Sequence, residues 1–140
     1  MISQPVLIGP PVYLQAYLVP VRAGFPSPAD DYLDAPIDLS RTLISNAPAT
    51  FIMTVAGNSG IDAGIVDGSL ITVDRSLKPR DGDAVVVDVN GERSVKIVRF
   101  EGGRIRLSHG NAKYPAYNPG PDADIEVFGV ITNAVRRLRR

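Results

Sequence analysis

The chain has no cysteine, no tryptophan and a single histidine, His109. Without cysteine there is no disulfide framework, no thiolate nucleophile and no cysteine-based zinc site. One histidine is too few for a zinc centre, which gathers several His, Cys or carboxylate ligands at clustered spacings. A Ser-His-Asp triad would have to use His109, which stands in a Gly/Asn/Pro-rich stretch and reads as an exposed loop residue. Charge of neither sign dominates: 15 basic side chains balance 15 acidic ones. Binding to nucleic acid or membrane by bulk charge is therefore excluded, and no direct sequence-specific DNA contact is expected. No apolar run approaches the roughly 18 residues that cross a bilayer. The N-terminus has no basic stretch leading into an apolar one, so no signal peptide is expected and a cytoplasmic protein fits. Neither a Gly-x-Gly-x-x-Gly nor a P-loop pattern occurs, and no cofactor or metal is expected.

What is present is one domain's worth of chain, 140 residues with 44% hydrophobic composition, written in two grammars. Residues 1–36 hold seven of the 12 prolines (Pro5, Pro10, Pro11, Pro20, Pro26, Pro28 and Pro36). Proline fixes φ and removes a backbone donor, so this stretch reads as an extended arm rather than a helix or a central strand. Its apolar residues, Tyr13, Leu14, Tyr17 and Leu18 among them, suggest an arm that packs on something. One short helix is expected over Ile37–Asn46, with Asp38 as N-cap and Leu39, Leu43 and Ile44 at helical spacing. From Phe51 on the grammar is short strands and glycine turns. Strands are expected at Phe51–Ala56, Ser69–Asp74, Ala84–Val89, Arg93–Phe100, Arg104–Ser108 and Ile125–Val135, with Asn90-Gly91 as a tight hairpin turn. Residues 37–140 thus read as a mainly β domain, a partly closed antiparallel barrel or sandwich.

Two residues stand out chemically. Ser59 lies in Gly57-Asn58-Ser59-Gly60 after a β-rich segment, where a small-residue turn can expose a hydroxyl and bare backbone N–H groups. Turn chemistry alone also explains a serine there. Lys96 interrupts the apolar run Val95-Lys96-Ile97-Val98, and strand alternation places it with Ser94 and Val98, opposite Val95 and Ile97. It is either a solvated lysine on an amphipathic strand or an amine in an apolar pocket. Burial would disfavour its charged form and make it a base for a serine hydroxyl. The aspartates Asp62, Asp67, Asp74, Asp81 and Asp83 flank glycines or strand ends and read as turn formers.

In combination these segments resemble the self-cleaving UmuD and LexA proteins. Val55-Ala56-Gly57-Asn58-Ser59-Gly60-Ile61-Asp62 is similar to the family's nucleophile segment, and Gly91-Glu92 through Val95-Lys96 to its lysine strand. Val127-Phe128-Gly129-Val130-Ile131 is similar to its closing strand. Ala23-Gly24-Phe25-Pro26-Ser27-Pro28-Ala29 looks like the self-cleavage site of the UmuD branch. The likeness runs from Val21 to Arg137. No helix-turn-helix pattern precedes it, which favours that branch over the repressors.

The resemblance implies a LexA/UmuD-like peptidase domain in which Ser59 is the nucleophile and Lys96 the general base. The Ser59 and Gly60 N–H groups would bind the oxyanion, and Ala23–Gly24 would be the bond cut. It further implies a homodimer working in the SOS response to DNA damage. The RecA filament on single-stranded DNA would stimulate cleavage, and the trimmed form would join a UmuC-like Y-family lesion-bypass polymerase. Type I signal peptidases share the Ser-Lys arrangement but need a membrane anchor. One departure matters: Gly60 stands where the family usually has methionine. The alternative it raises is a non-catalytic accessory subunit of the polymerase. The terminal Arg136-Arg137-Leu138-Arg139-Arg140 reads as a solvated chain end.

Overall fold

The computed structural model describes residues 10–24 and 32–139. Most of the expected cleavage motif, Phe25–Ala29, lies outside them, as does Arg140. The chain forms two compact units, one ending at Ser45 and the other beginning at Asn46.

The first unit is a two-stranded antiparallel ribbon, β1 (Tyr13–Tyr17) against β2 (Leu33–Asp38). Leu14 pairs with Ile37 and Ala16 with Asp34, so Ala35 and Pro36 together stand opposite Gln15. A bulge of this kind tolerates a residue without an N–H, which is how a proline-bearing segment enters a ladder. The Leu18 N–H donates to the Tyr32 carbonyl at 3.0 Å and continues the ribbon past β1. Helix α1 (Leu39–Leu43) follows, with the Asp38 carboxylate accepting from the Ser40 N–H at 3.1 Å as N-cap. It is shorter than the expected Ile37–Asn46. Asp38 and Ile37 belong to β2, and Ile44 is already extended at φ −112° and ψ 115°.

The second unit is one antiparallel sheet of six strands: β3 (Thr50–Thr54), β4 (Leu70–Asp74), β5 (Ala84–Val89), β6 (Glu92–Glu101), β7 (Arg104–Ser108) and β8 (Ile125–Val135). Their order is β3-β4-β8-β5-β6-β7, so the last strand runs through the middle and the sheet stays open at β3 and β7. The Asn90-Gly91 turn joins β5 to β6 with φ of 50° and 81°, the double left-handed geometry that a two-residue hairpin needs. Two register shifts make Phe128 and Thr132 extra residues on β8. Bulges bend a strand and increase its twist, which curls the sheet without closing it.

Alternation along β5 sends Val86 to one side and Val85 and Val87 to the other, and both sides are buried. Val86 joins Val55, Ile65, Ile71 and Val73. Val85 and Val87 join Val98 and Val130. Among the described residues, no helix is long and apolar enough to cross a membrane.

The central crossing of β4 and β8 depends on Gly129. A Cβ there would lie 2.8 Å from Val73 Cγ1 and 3.1 Å from the Asp74 carbonyl oxygen. Gly129→Ala should therefore destabilise the domain by about 1–3 kcal/mol through overpacking. Urea unfolding checks this: the midpoint should fall with the slope unchanged, and equal midpoints would show that the crossing has room.

Candidate active site

Ser59 sits on a loop whose neck is closed by backbone bonds. Val55 donates to the Ser69 carbonyl at 2.9 Å, and Gly68 donates to the Val55 carbonyl at 2.7 Å. Strand β3 ends at Thr54, short of the expected Ala56, and these bonds close the loop just beyond it. Inside the neck, Asp67 Oδ1 accepts from the Gly57 N–H at 2.7 Å, and Asn58 Oδ1 accepts from the Asp67 N–H at 3.2 Å. Gly57 has φ +92°, a value L side chains rarely adopt, so the turn into Ser59 needs glycine.

Beyond Ser59, the Gly60 carbonyl accepts from Ala63 and Ile65 and starts a 3-10 turn over Ile61–Ala63. Among the described residues, neither the Ser59 nor the Gly60 N–H donates a hydrogen bond. Two adjacent, uncommitted amides beside a hydroxyl are the parts an oxyanion site requires. Gly60 itself has φ −106°, open to any residue, but a Cβ there would lie 3.1 Å from Ile65 Cβ. Ile65 therefore occupies the space beside position 60, and a methionine would need it to move.

The segment after β7 braces this loop. The Asp62 N–H donates to the Gly110 carbonyl at 2.6 Å, and the Ala112 N–H donates to Asp62 Oδ2 at 2.8 Å. Asn111 is buried, donates Nδ2–H to the Asn58 carbonyl at 2.9 Å and accepts from the Lys113 N–H. None of these residues was assigned to the site from sequence, where Asp62 read as a turn former. Gly110 makes the approach sterically feasible.

Lys96 lies mid-strand on β6, directly opposite Val85, on the face it shares with Ser94 and Val98. It is only 5% exposed. Its ammonium donates to Ser94 Oγ at 3.1 Å and to the Val95 carbonyl at 3.2 Å, and lies 4.8 Å from the centre of the Tyr117 ring. Burial disfavours the charged form and holds the amine below its ordinary pKa of 10.5. Among the described residues no hydrogen bond joins Lys96 to Ser59. The two are linked through the bracing segment: Gly110 abuts the Ser59 carbonyl and Ile97, while the adjacent His109 senses the charge on Lys96.

His109 is not the exposed loop residue expected. It is half-buried, with its ring edge-on to Tyr114 at 5.2 Å and to Tyr117 at 5.3 Å. Among the described residues, its buried Nδ1 has no hydrogen-bond partner. Burial, and secondarily the Lys96 charge, push its pKa below the usual 6.5. Ala23 and Gly24 are exposed in the connection between β1 and β2, with Gly24 at φ +94°.

At position 110 a Cβ would lie 3.0 Å from Gly60 Cα, 3.1 Å from the Ser59 carbonyl oxygen and 3.3 Å from Ile97 Cγ1. Two of the three are backbone atoms that cannot rotate away. Gly110→Ala should cost about 1–3 kcal/mol of stability. It should also speed amide hydrogen exchange across residues 58–63 more than across β5. Equal exchange in both proteins would mean that the bracing segment does not hold the loop.

The profile of the Peptidase S24-like family matches residues 12–132. Protein ImpA of Salmonella typhimurium is 37% identical over 127 residues, covering 84% of this chain and 80% of that protein. Protein MucA of Escherichia coli is 35% identical over 120 residues, covering 85% and 82%. LexA repressor 1 of Xanthomonas axonopodis is 38% identical over 117 residues, covering 84% of this chain but 58% of the repressor. The likeness to UmuD and LexA read from the motifs thus extends over most of the sequence, and the chain belongs to the Peptidase S24-like family.

Proposed function

We propose that this chain is a self-cleaving serine endopeptidase that removes its own N-terminal arm at Ala23–Gly24, with Ser59 as nucleophile and Lys96 as general base. The observation that carries the reading is a lysine amine buried in a β-strand, below its ordinary pKa. Ser59 Oγ attacks the Ala23 carbonyl carbon while the neutral Lys96 amine takes the hydroxyl proton. The Ser59 and Gly60 N–H groups stabilise the tetrahedral oxyanion. Collapse breaks the Ala23–Gly24 bond, and the Lys96 ammonium returns its proton to the departing Gly24 amine. Water then hydrolyses the Ala23 ester. For the transfer Lys96 must exchange its Ser94 and Val95 acceptors for the Ser59 hydroxyl.

In this reading residues 1–36 are the arm and residues 37–140 the peptidase domain. The protein is cytoplasmic and acts as a homodimer in SOS mutagenesis. Cleavage is stimulated by the RecA filament on single-stranded DNA, and the product from Gly24 onward joins a UmuC-like Y-family polymerase. Family membership and the similarity to ImpA and MucA support this placement. The present bonding of Lys96 to Ser94 and Val95, together with Gly60, favours the second reading, an accessory subunit that binds but does not cut.

The mass of the purified chain after incubation separates the two. The wild-type protein, with activated RecA filament or at mildly alkaline pH, should release residues 1–23 and leave a fragment beginning at Gly24. Ser59→Ala, Lys96→Ala and Lys96→Arg should each abolish that fragment while circular dichroism shows an intact fold. Arginine fails because guanidinium stays protonated. The rate should rise with pH, because the neutral fraction of Lys96 grows as pH climbs through its lowered pKa, and should level off above it. A Gly24 fragment from Ser59→Ala at the wild-type rate would overturn the assignment.

A further inference from the structure

The rings around Lys96 are more than a loop's packing. Lys96 is covered on its own strand by Ser94 and, across the ladder, by Val85. From the segment after β7 it is faced by Tyr117, with His109 close enough for the two charges to interact. These are the titratable groups that face it among the described residues. Tyr117 does not stand alone: the His109 ring meets it edge-on, and Tyr114 meets His109 in the same way. Edge-to-face contacts of this kind fix ring orientation. Among the described residues, the buried Nδ1 of His109 has no hydrogen-bond partner, so ring packing is what holds His109 in place.

We propose that Tyr117 is a positioning residue: its ring, wedged by His109 and Tyr114, closes over the Lys96 amine and keeps water from it. The inference rests on the proposed role of Lys96 as base and adds what maintains that base. A ring face over an amine acts in two opposed ways. Cation–π attraction favours the ammonium, by about 0.5–2 kcal/mol, whereas exclusion of water favours the neutral amine. At Lys96 burial disfavours the charged form, and in this proposal water exclusion is the larger of the two effects. His109 contributes packing rather than charge, since burial and the Lys96 charge both disfavour its imidazolium.

The test uses the full-length chain carrying Ser59→Ala, which cannot cut itself, with the Lys96 side chain titrated by NMR and assigned by its loss in Lys96→Arg. Tyr117→Ala should raise the Lys96 midpoint by about one pH unit toward its ordinary value. Tyr117→Phe, which keeps the ring, should leave it in place. His109→Ala should raise it by less, and His109→Phe should restore it. With Ser59 intact, the pH of half-maximal cleavage should move with the Lys96 midpoint in each variant. A Lys96 midpoint that is unchanged or lower in Tyr117→Ala would overturn the proposal. A midpoint that rises as expected in a protein whose Ser59-intact form never cleaves would leave the water shield standing and refute the self-cleavage reading instead.

Discussion

A lysine amine buried in the middle of a β-strand is the constraint on which the rest of the site depends. An ammonium taken out of water loses hydration that two neutral acceptors, Ser94 Oγ and the Val95 carbonyl, replace only in part. The domain therefore holds Lys96 with a lowered pKa, and the sign of the linkage follows. Between the folded and the ordinary value the unfolded chain binds more protons, so stability rises with pH across that window. At neutral pH the arrangement costs stability, and what it gains is an amine that gives up its proton more readily than a solvated lysine.

For Lys96 to act as the proposed base, Ser59 must be held in register beside it, and the sheet does not supply that directly. Ser59 stands on a loop tied at its neck by Val55, Gly68 and Ser69 and internally by Asn58 and Asp67. Its position relative to β6 is set by residues 110–112, which bond Asn58 and Asp62 on one side while Gly110 lies against Ile97 on the other. The segment that follows β7 thus has two duties. Its first residues brace the serine loop, and its Tyr117 ring lies beside the lysine amine. Each duty relies on close packing: backbone against backbone at Gly110, ring against ring at His109.

Much of the sheet was legible in the sequence because its signals are local. The runs at Ala84–Val89, Arg104–Ser108 and Ile125–Val135 match the observed strands, and Asn90-Gly91 forms the expected hairpin turn. Strand β2 was missed because Pro36 argues against a ladder, and only the bulge opposite Gln15 resolves that conflict. Ser59 and Lys96 carry local signals, a small-residue turn and a charged interruption of an apolar run, each visible within a few residues. The bracing bonds had no such signal. Asn111 and Asn58 lie 53 residues apart, and Ala112 and Asp62 lie 50 apart, and nothing in either segment alone announces the other. His109 differs in that its ring partners Tyr114 and Tyr117 are near in sequence, but the Gly/Asn/Pro content around it signals an exposed loop and hides that packing.

The central claim is that Ser59 is activated by Lys96, and chemical reactivity at Ser59 tests it without requiring the arm to be cut. Full-length protein treated with a fluorophosphonate at mildly alkaline pH, then digested and mapped by mass spectrometry, reports which hydroxyl is nucleophilic. The account predicts a single major adduct on Ser59 that grows with pH and disappears in Lys96→Arg. An adduct on Ser59 of equal yield in Lys96→Arg, or labelling that spares Ser59 and falls on other serines, would contradict it.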